Sequence, residues 1–186
     1  MATTKTSPKP VVRALRSMRA VRRFSEREIP QEVVEKILDV GRWTGSAKNT
    51  QPWRVVLVTE RETLRRLSQL GQFAGHIAGA RCALVLVMDG PNNAFDCGRL
   101  AERLMVGAWA HGVGSCIGSF FPEEYVAEVK RLLGVPEERW VRHSISLGYP
   151  ADGEAHRIRT TPGTRSVLPS VGRKPMEEFV SRGRLG

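Results

Sequence analysis

Cysteine is scarce in this chain. Cys82, Cys97 and Cys116 are an odd three among 186 residues and show no C-x-x-C spacing. That excludes a disulfide framework and a thioredoxin-type motif. Two of them stand in apolar surroundings, so buried, reduced thiols are expected rather than catalytic ones, in a cytosolic compartment. Four scattered histidines lack ligand spacing, which excludes a structural metal site. Long apolar runs are also missing: the longest, CALVLVM at 82–88, is too short to span a bilayer. The first nine residues, MATTKTSPK, have no apolar h-region, so a disordered tail without a secretory signal is expected. Lysine is rare as well. Of 29 basic residues only six are lysine and 23 are arginine, for a net charge of +10. Such a surface could serve nucleic acid, an anionic membrane or phosphate-bearing ligands. The arginines are dispersed from Arg13 to Arg184 and no aromatic residues interleave with a basic run, which disfavours nucleic acid.

What remains is enough for one domain, able to bury roughly 70% of its unfolded surface. Val11, Leu15 and Met18 follow Pro10 at helical spacing. A second helix is expected with Pro30 at its first position and Val33, Val34, Ile37 and Leu38 on one face, fading between Gly41 and Gly45. WRVVLVT at 53–59 and ARCALVLVMD at 80–89 read as strands covered on both faces, since their apolar residues run on instead of alternating. Between them, Thr59 and Glu62 match a capping box for a helix carrying Leu64, Leu67 and Leu70. A long helix within 92–112 turns Leu100, Leu104, Ala108 and Trp109 inward, and VGSCIGSFF at 113–121 is a glycine-rich strand or turn. Pro122 opens a further helix with Tyr125, Val126, Val129, Leu132 and Leu133 apolar, and RHSISLGYP at 142–150 alternates serine with apolar residues. The expected class is α+β in three α/β/α layers, a central mixed sheet with helices on both faces. The expected divisions are a tail at 1–9, a domain at 10–150 and a polar extension at 151–186.

Three stretches look built for one ligand. RAVRRF at 19–24 offers Arg19, Arg22 and Arg23 just past a helix end. Guanidinium forks suit phosphate oxygens, at roughly 1.5–3 kcal/mol per charge-assisted bond. GVGSCIGSF at 112–120 holds Gly112, Gly114 and Gly118, but it follows a helix and leads into a strand, so a dinucleotide-binding reading fails on context. Glycines there instead let a backbone approach a planar ring. GRKP at 172–175 adds Arg173 and Lys174. For the first and third stretches, a solvated turn and a free basic tail are the plain alternatives. GSAKNTQPWR at 45–54 also crowds the amides of Asn49 and Gln51 into a turn that needs only glycine, proline and a short polar residue.

In order, MRAVRRF, SAKNTQPWR, a helix followed by GVGSCIGSF, and LGYP…GRKP resemble the nitroreductase-like flavoprotein family over about residues 16–180. The S-x-x-N-x-Q-P-W piece is the most specific. The resemblance implies a nitroreductase-like fold and an FMN enzyme built as an intertwined, cytoplasmic homodimer with two sites at the subunit interface. It implies NADH or NADPH as reductant and ping-pong hydride transfer through flavin N5 to nitroaromatics or quinones, with no side chain acting as acid or base. By the same resemblance Arg19 and Arg22, with Arg23 beside them, join Arg173 and Lys174 at the FMN phosphate. Ser46 and Asn49 reach the flavin from the partner subunit while Gln51 braces their turn. Gln72 takes the pyrimidine edge, and backbone N–H groups at Gly118 and Ser119 lie near N5. The chain departs from the family pattern at Met18 and Ala20, where Arg and Ser are usual, and its glycine-rich strand is one residue short. The short DGPNNAF between Met88 and Asp96 leaves no room for a helical lid, so an open pocket is expected. The alternatives are a flavin-binding module without turnover and, less favoured, a nucleic-acid-binding protein.

Overall fold

In the computed structural model, which describes residues 10–151 and 174–185, four strands carry the fold: β1 (Trp53–Val58), β2 (Cys82–Met88), β3 (Gly114–Ser119) and β4 (Trp140–Gly148). They pair in the order β1-β2-β4-β3, and every ladder is antiparallel. Among the described residues, parallel pairing is confined to the isolated bridges Ala20–Ser115 and Gly71–Phe121. The expected central sheet is thus antiparallel in all its ladders; a continuous apolar run reports cover on both faces and not strand direction.

That cover is real at β2, where all seven residues are buried. Successive side chains point to opposite faces. Cys82, Leu84, Leu86 and Met88 meet Ile37 of α2 (Gln31–Arg42) and Leu100 and Leu104 of α4 (Ala94–Ala110). Ala83, Val85 and Val87 meet Leu64 and Leu67 of α3 (Arg61–Ser68) and Val126 and Val129 of α5 (Glu123–Leu133). Each large apolar side chain so buried contributes about 1.5–3 kcal/mol before entropy is counted. Where α2 crosses α4, glycine lets the backbones close: a Cβ on Gly41 would fall 2.4 Å from Leu104 Cδ2.

β1 behaves differently. It is an edge strand, only Val58 in it is fully buried, and Leu57 is 42% exposed, so cover on both faces is not found there. Helix starts are also corrected in detail. Pro30 caps α2 from outside. Glu60, not Thr59, caps α3, its carboxylate accepting from the Glu62 and Thr63 N–H groups. Trp109 is half-buried, and its indole N–H donates to Ser17 Oγ at 3.0 Å, at the end of α1 (Pro10–Ser17). By contact the chain divides into two compact units, Met1–Asp152 and Gly153–Gly186. The second contains the short α6 (Met176–Phe179).

Candidate functional site

The arginine segment is laid along one sheet edge by small residues. Ala20 bridges Ser115, and the Val21 N–H donates to Ser115 O at 2.9 Å, so residues 20–22 run beside the start of β3. Gly114 permits this, because a Cβ there would sit 2.8 Å from Val21 Cβ. The chain then reaches the end of β4, where the Ser25 N–H donates to Tyr149 O at 2.8 Å. A Cβ on Gly148 would lie 2.7 Å from the Phe24 ring. Arg22 is left exposed, with its guanidinium acting on the Cys116 thiol and the His76 ring. Arg19 is more committed. Its Nη1 donates to Arg16 O at 2.8 Å and Met18 O at 2.7 Å, closing the end of α1, and its buried Nε has no partner among the described residues. Arg23 is exposed, and its carbonyl accepts from the Ala151 N–H at 3.1 Å.

β3 offers its backbone by alternation. The Phe120 N–H donates to Arg142 O at 2.9 Å, and the register pairs Gly118 with Ser144 two residues earlier. Antiparallel ladders alternate bonded and non-bonded pairs, so the Gly118 N–H turns inward to β4 while Ile117 and Ser119 turn theirs outward. Of the two N–H groups assigned from the sequence, only that of Ser119 faces the edge. Gly71 bridges Phe121 and packs so closely that a Cβ on it would be 2.2 Å from Ser119 O. That approach sets the exposed Gln72 beside the last residues of β3.

Behind this edge lies a polar cluster that sequence reading missed. His76 Nδ1 is 2.8 Å from Ser146 Oγ, which in turn donates to Cys116 O at 3.2 Å. His76 Nε2 and Ser144 Oγ are both buried without a partner among the described residues. Burial holds His76 below the usual imidazole range, and the nearby Arg22 charge adds to this. On the opposite face, Ser119 Oγ is 2.9 Å from His143 Nδ1, and burial followed by the Arg142 charge lowers that histidine too. A signal existed: fully buried serines at 144 and 146 occupy core-facing positions of a central strand, where apolar residues are usual. The thiols are poor nucleophiles. Burial pushes Cys82 up to about 12 and Cys97 up to about 11, and it raises Cys116 despite Arg22.

Ser46 and Asn49 lie elsewhere, in the turn entering β1 at the opposite edge of the sheet. The Ser46 hydroxyl accepts the Gln51 N–H at 2.8 Å, and Asn49 is exposed. Lys48, Asn49 and Gln51 all have left-handed backbones, with φ of 52°, 54° and 50°. The structure therefore gathers Arg22, Gln72, Gly118 and Ser119 along β3 and leaves Ser46 and Asn49 at β1, with two strands between. Lys174 is exposed in the second unit, and Arg173 lies outside the described residues. β2 runs into α4 through a single 3-10 turn at Pro91–Asn93, with no helical insertion. Among the described residues no cluster of side chains could hold a metal, and no helix is long and apolar enough to cross a membrane.

A three-layer α+β fold whose edge strand presents outward amides beside a cationic segment defines a scaffold suited to a flat, phosphate-bearing ligand. The chain belongs to the nitroreductase family, whose model matches residues 15–72 and 80–149. It is similar to an Archaeoglobus fulgidus protein provisionally named NADH dehydrogenase/NAD(P)H nitroreductase, at 34% identity over 142 residues, covering 72% of this chain and 82% of that protein. It is also similar to the NADPH-flavin oxidoreductase of Vibrio harveyi, at 28% identity over 154 residues, 71% of this chain and 62% of the relative. The solved FMN-dependent nitroreductase of Clostridium difficile shares the fold, with a TM-score of 0.74 and 22% identity over 94% of this chain and 99% of its own.

Proposed function

We propose that this chain is an FMN-dependent NAD(P)H oxidoreductase that reduces electron-poor acceptors such as nitroaromatics and quinones, working as a cytosolic homodimer. Family membership supports the enzyme class, and relatives named as NAD(P)H nitroreductase and NADPH-flavin oxidoreductase support the reductant and the cofactor. The observation that carries the dimeric reading is the split of the ligand residues between two sheet edges. Three inter-strand steps of about 4.8 Å separate β1 from β3, roughly 14 Å. Ser119 and the neighbouring Gln72 stand at the same end of the sheet as the 46–49 turn, because Trp53 pairs with Met88, Met88 with Trp140, and Ser119 with His143 nearby, while Arg22 lies towards the start of β3. One ligand held by both edges needs the β1 edge of a second copy.

FMN fits the donors present: an exposed guanidinium at Arg22, an exposed amide at Gln72 and an outward N–H at Ser119. When bound, FMN supplies the hydride chemistry between nicotinamide and acceptor. The chain's own part is to position and to polarise. Arg22, with Arg19 and Arg23 near it, holds the phosphate side. The Ser119 N–H and the Gln72 amide fix the ring edge, and Ser46 and Asn49 approach from the partner. Residues 10–150 form the cofactor domain in this reading. With no helical insertion after β2, the acceptor side stays open to molecules of varied shape.

The decisive experiment is anaerobic addition of NADH or NADPH to the FMN-loaded protein. Loss of the flavin absorbance, restored by a quinone or nitroaromatic, supports the enzyme. Stable FMN binding without bleaching by either nicotinamide leaves a binding module instead, and a chain that cannot be loaded with FMN overturns the whole assignment.

A further inference from the structure

We infer that His76, which packs against Gly118 of β3, couples FMN binding to the uptake of a proton. The inference rests on the FMN reading above. His76 sits in a cradle made by glycine: a Cβ on Gly118 would be 3.4 Å from His76 Cε1, 3.5 Å from His76 Nε2 and 3.3 Å from Ser144 Oγ. His76 Nδ1 and Ser146 Oγ share one hydrogen bond, and Ser146 Oγ also lies 3.2 Å from Cys116 O. His76 Nε2 is buried and has no partner among the described residues. The neutral ring carries one proton and the imidazolium two, so proton uptake makes donors of both nitrogens.

Charge around the ring is sparse. Arg22 acts on it from the entry segment, β3 contributes the Ile117 backbone, and β4 contributes the Ser144 and Ser146 hydroxyls. Without ligand, burial first and then the Arg22 charge favour neutral His76, opposed in part by the Ile117 backbone, which favours the charged ring. A phosphate dianion on Arg22 cancels that repulsion, so the imidazolium becomes easier to form when FMN is bound. Linkage fixes the sign: a group whose pKa rises on binding makes binding tighter as pH falls through that window, here below the usual histidine value.

The test is titration calorimetry of FMN into wild-type and His76→Gln protein between pH 5.5 and 7.5, in buffers of different ionisation enthalpy. Riboflavin, which lacks the phosphate, is run in parallel. A second readout needs no variant: the NMR titration of His76 with and without FMN. Comparing the two proteins removes the phosphate's own titration near pH 6. The expected result is additional proton uptake by the wild type below the usual histidine range and a pH-dependent gain in FMN affinity about fivefold larger than in His76→Gln, with the His76 titration moved upward by FMN. Riboflavin should show none of this. Equal proton counts in both proteins, an unmoved His76 titration, or the same His76-dependent uptake with riboflavin overturns the coupling alone. Absence of FMN binding by either protein at every pH overturns the cofactor reading, and the coupling with it.

Discussion

Replacing Gly71 with alanine tests whether the β3 edge is built by close approach. An added Cβ would stand 2.2 Å from Ser119 O, 3.2 Å from Ser119 C and 3.1 Å from Ala74 Cβ. Carbon contacts are comfortable at about 3.5–4.0 Å, so the backbones must part by about 1 Å. No rotamer can relieve this, because the obstacle is a carbonyl. Overpacking of this kind costs about 1–3 kcal/mol. The separation also moves the next residue, Gln72, away from Ser119, so FMN affinity should fall by about tenfold or more, given the worth of one well-placed hydrogen bond. Gly75→Ala is the internal control, four residues on, with nothing within 4 Å of its added Cβ and no positive φ. Its stability should stay within about 0.5 kcal/mol of wild type. Urea unfolding and calorimetric FMN binding on both variants decide the matter. If Gly71→Ala is as stable as Gly75→Ala and binds FMN equally well, the close packing of residues 70–73 on β3 is wrong.

Arg22→Ala should weaken FMN binding ten- to a hundredfold, the loss of one charge-assisted bond of about 1.5–3 kcal/mol, with riboflavin binding far less affected. Asn49→Ala should reduce FMN affinity while leaving the urea midpoint unchanged, since the side chain is exposed; normal binding would reduce the 45–54 stretch to a plain turn. Trp53→Ala should do the reverse and lower stability by about 2 kcal/mol or more, because Trp53 packs on the core formed with α2 and α4. Thiol labelling at pH 8 should be negligible in the folded protein at Cys82 and Cys97, whose thiols are pushed up to about 12 and about 11. Labelling should appear on unfolding and, in the native protein, rise only as pH approaches those values.

Much of the layering was legible because burial leaves a pattern. CALVLVM is a strand covered twice, and the helical apolar faces of α2, α3, α4 and α5 all turn inward in place. Strand order and direction were not legible, since hydropathy carries no information about which strand neighbours which. The α3 cap was missed by one residue, as Thr59 and Glu60 are both plausible caps and backbone geometry chooses between them. The arginine segment and the glycine-rich strand could be read as chemistry, but not their contact, which depends on Gly114 and Gly148 making room for Val21 and Phe24. His76 was invisible for the same reason. Its partners come from β3 and β4, at least forty residues away in the chain, and nothing beside it in sequence marks it.

The stretch at 45–54 shows how strain and position together argue for a second copy. Lys48, Asn49 and Gln51 are held left-handed at a cost of roughly 1–2 kcal/mol each for residues other than glycine. Asparagine bears this best, but lysine and glutamine have no such excuse. An edge strand can begin without any of it. The fold nevertheless fixes the turn, with the Ser46 hydroxyl on the Gln51 N–H and the Ser46 carbonyl on the Asn49 N–H at 3.1 Å. Strain kept in place by dedicated hydrogen bonds is a mark of presentation rather than of packing. What the turn presents is the exposed side chain of Asn49, at the sheet end where Ser119 presents its N–H, but on the wrong edge to meet it within one chain. A two-fold pairing of copies would bring the two edges to one ligand twice over, which gives both the strain and the separation a single cause.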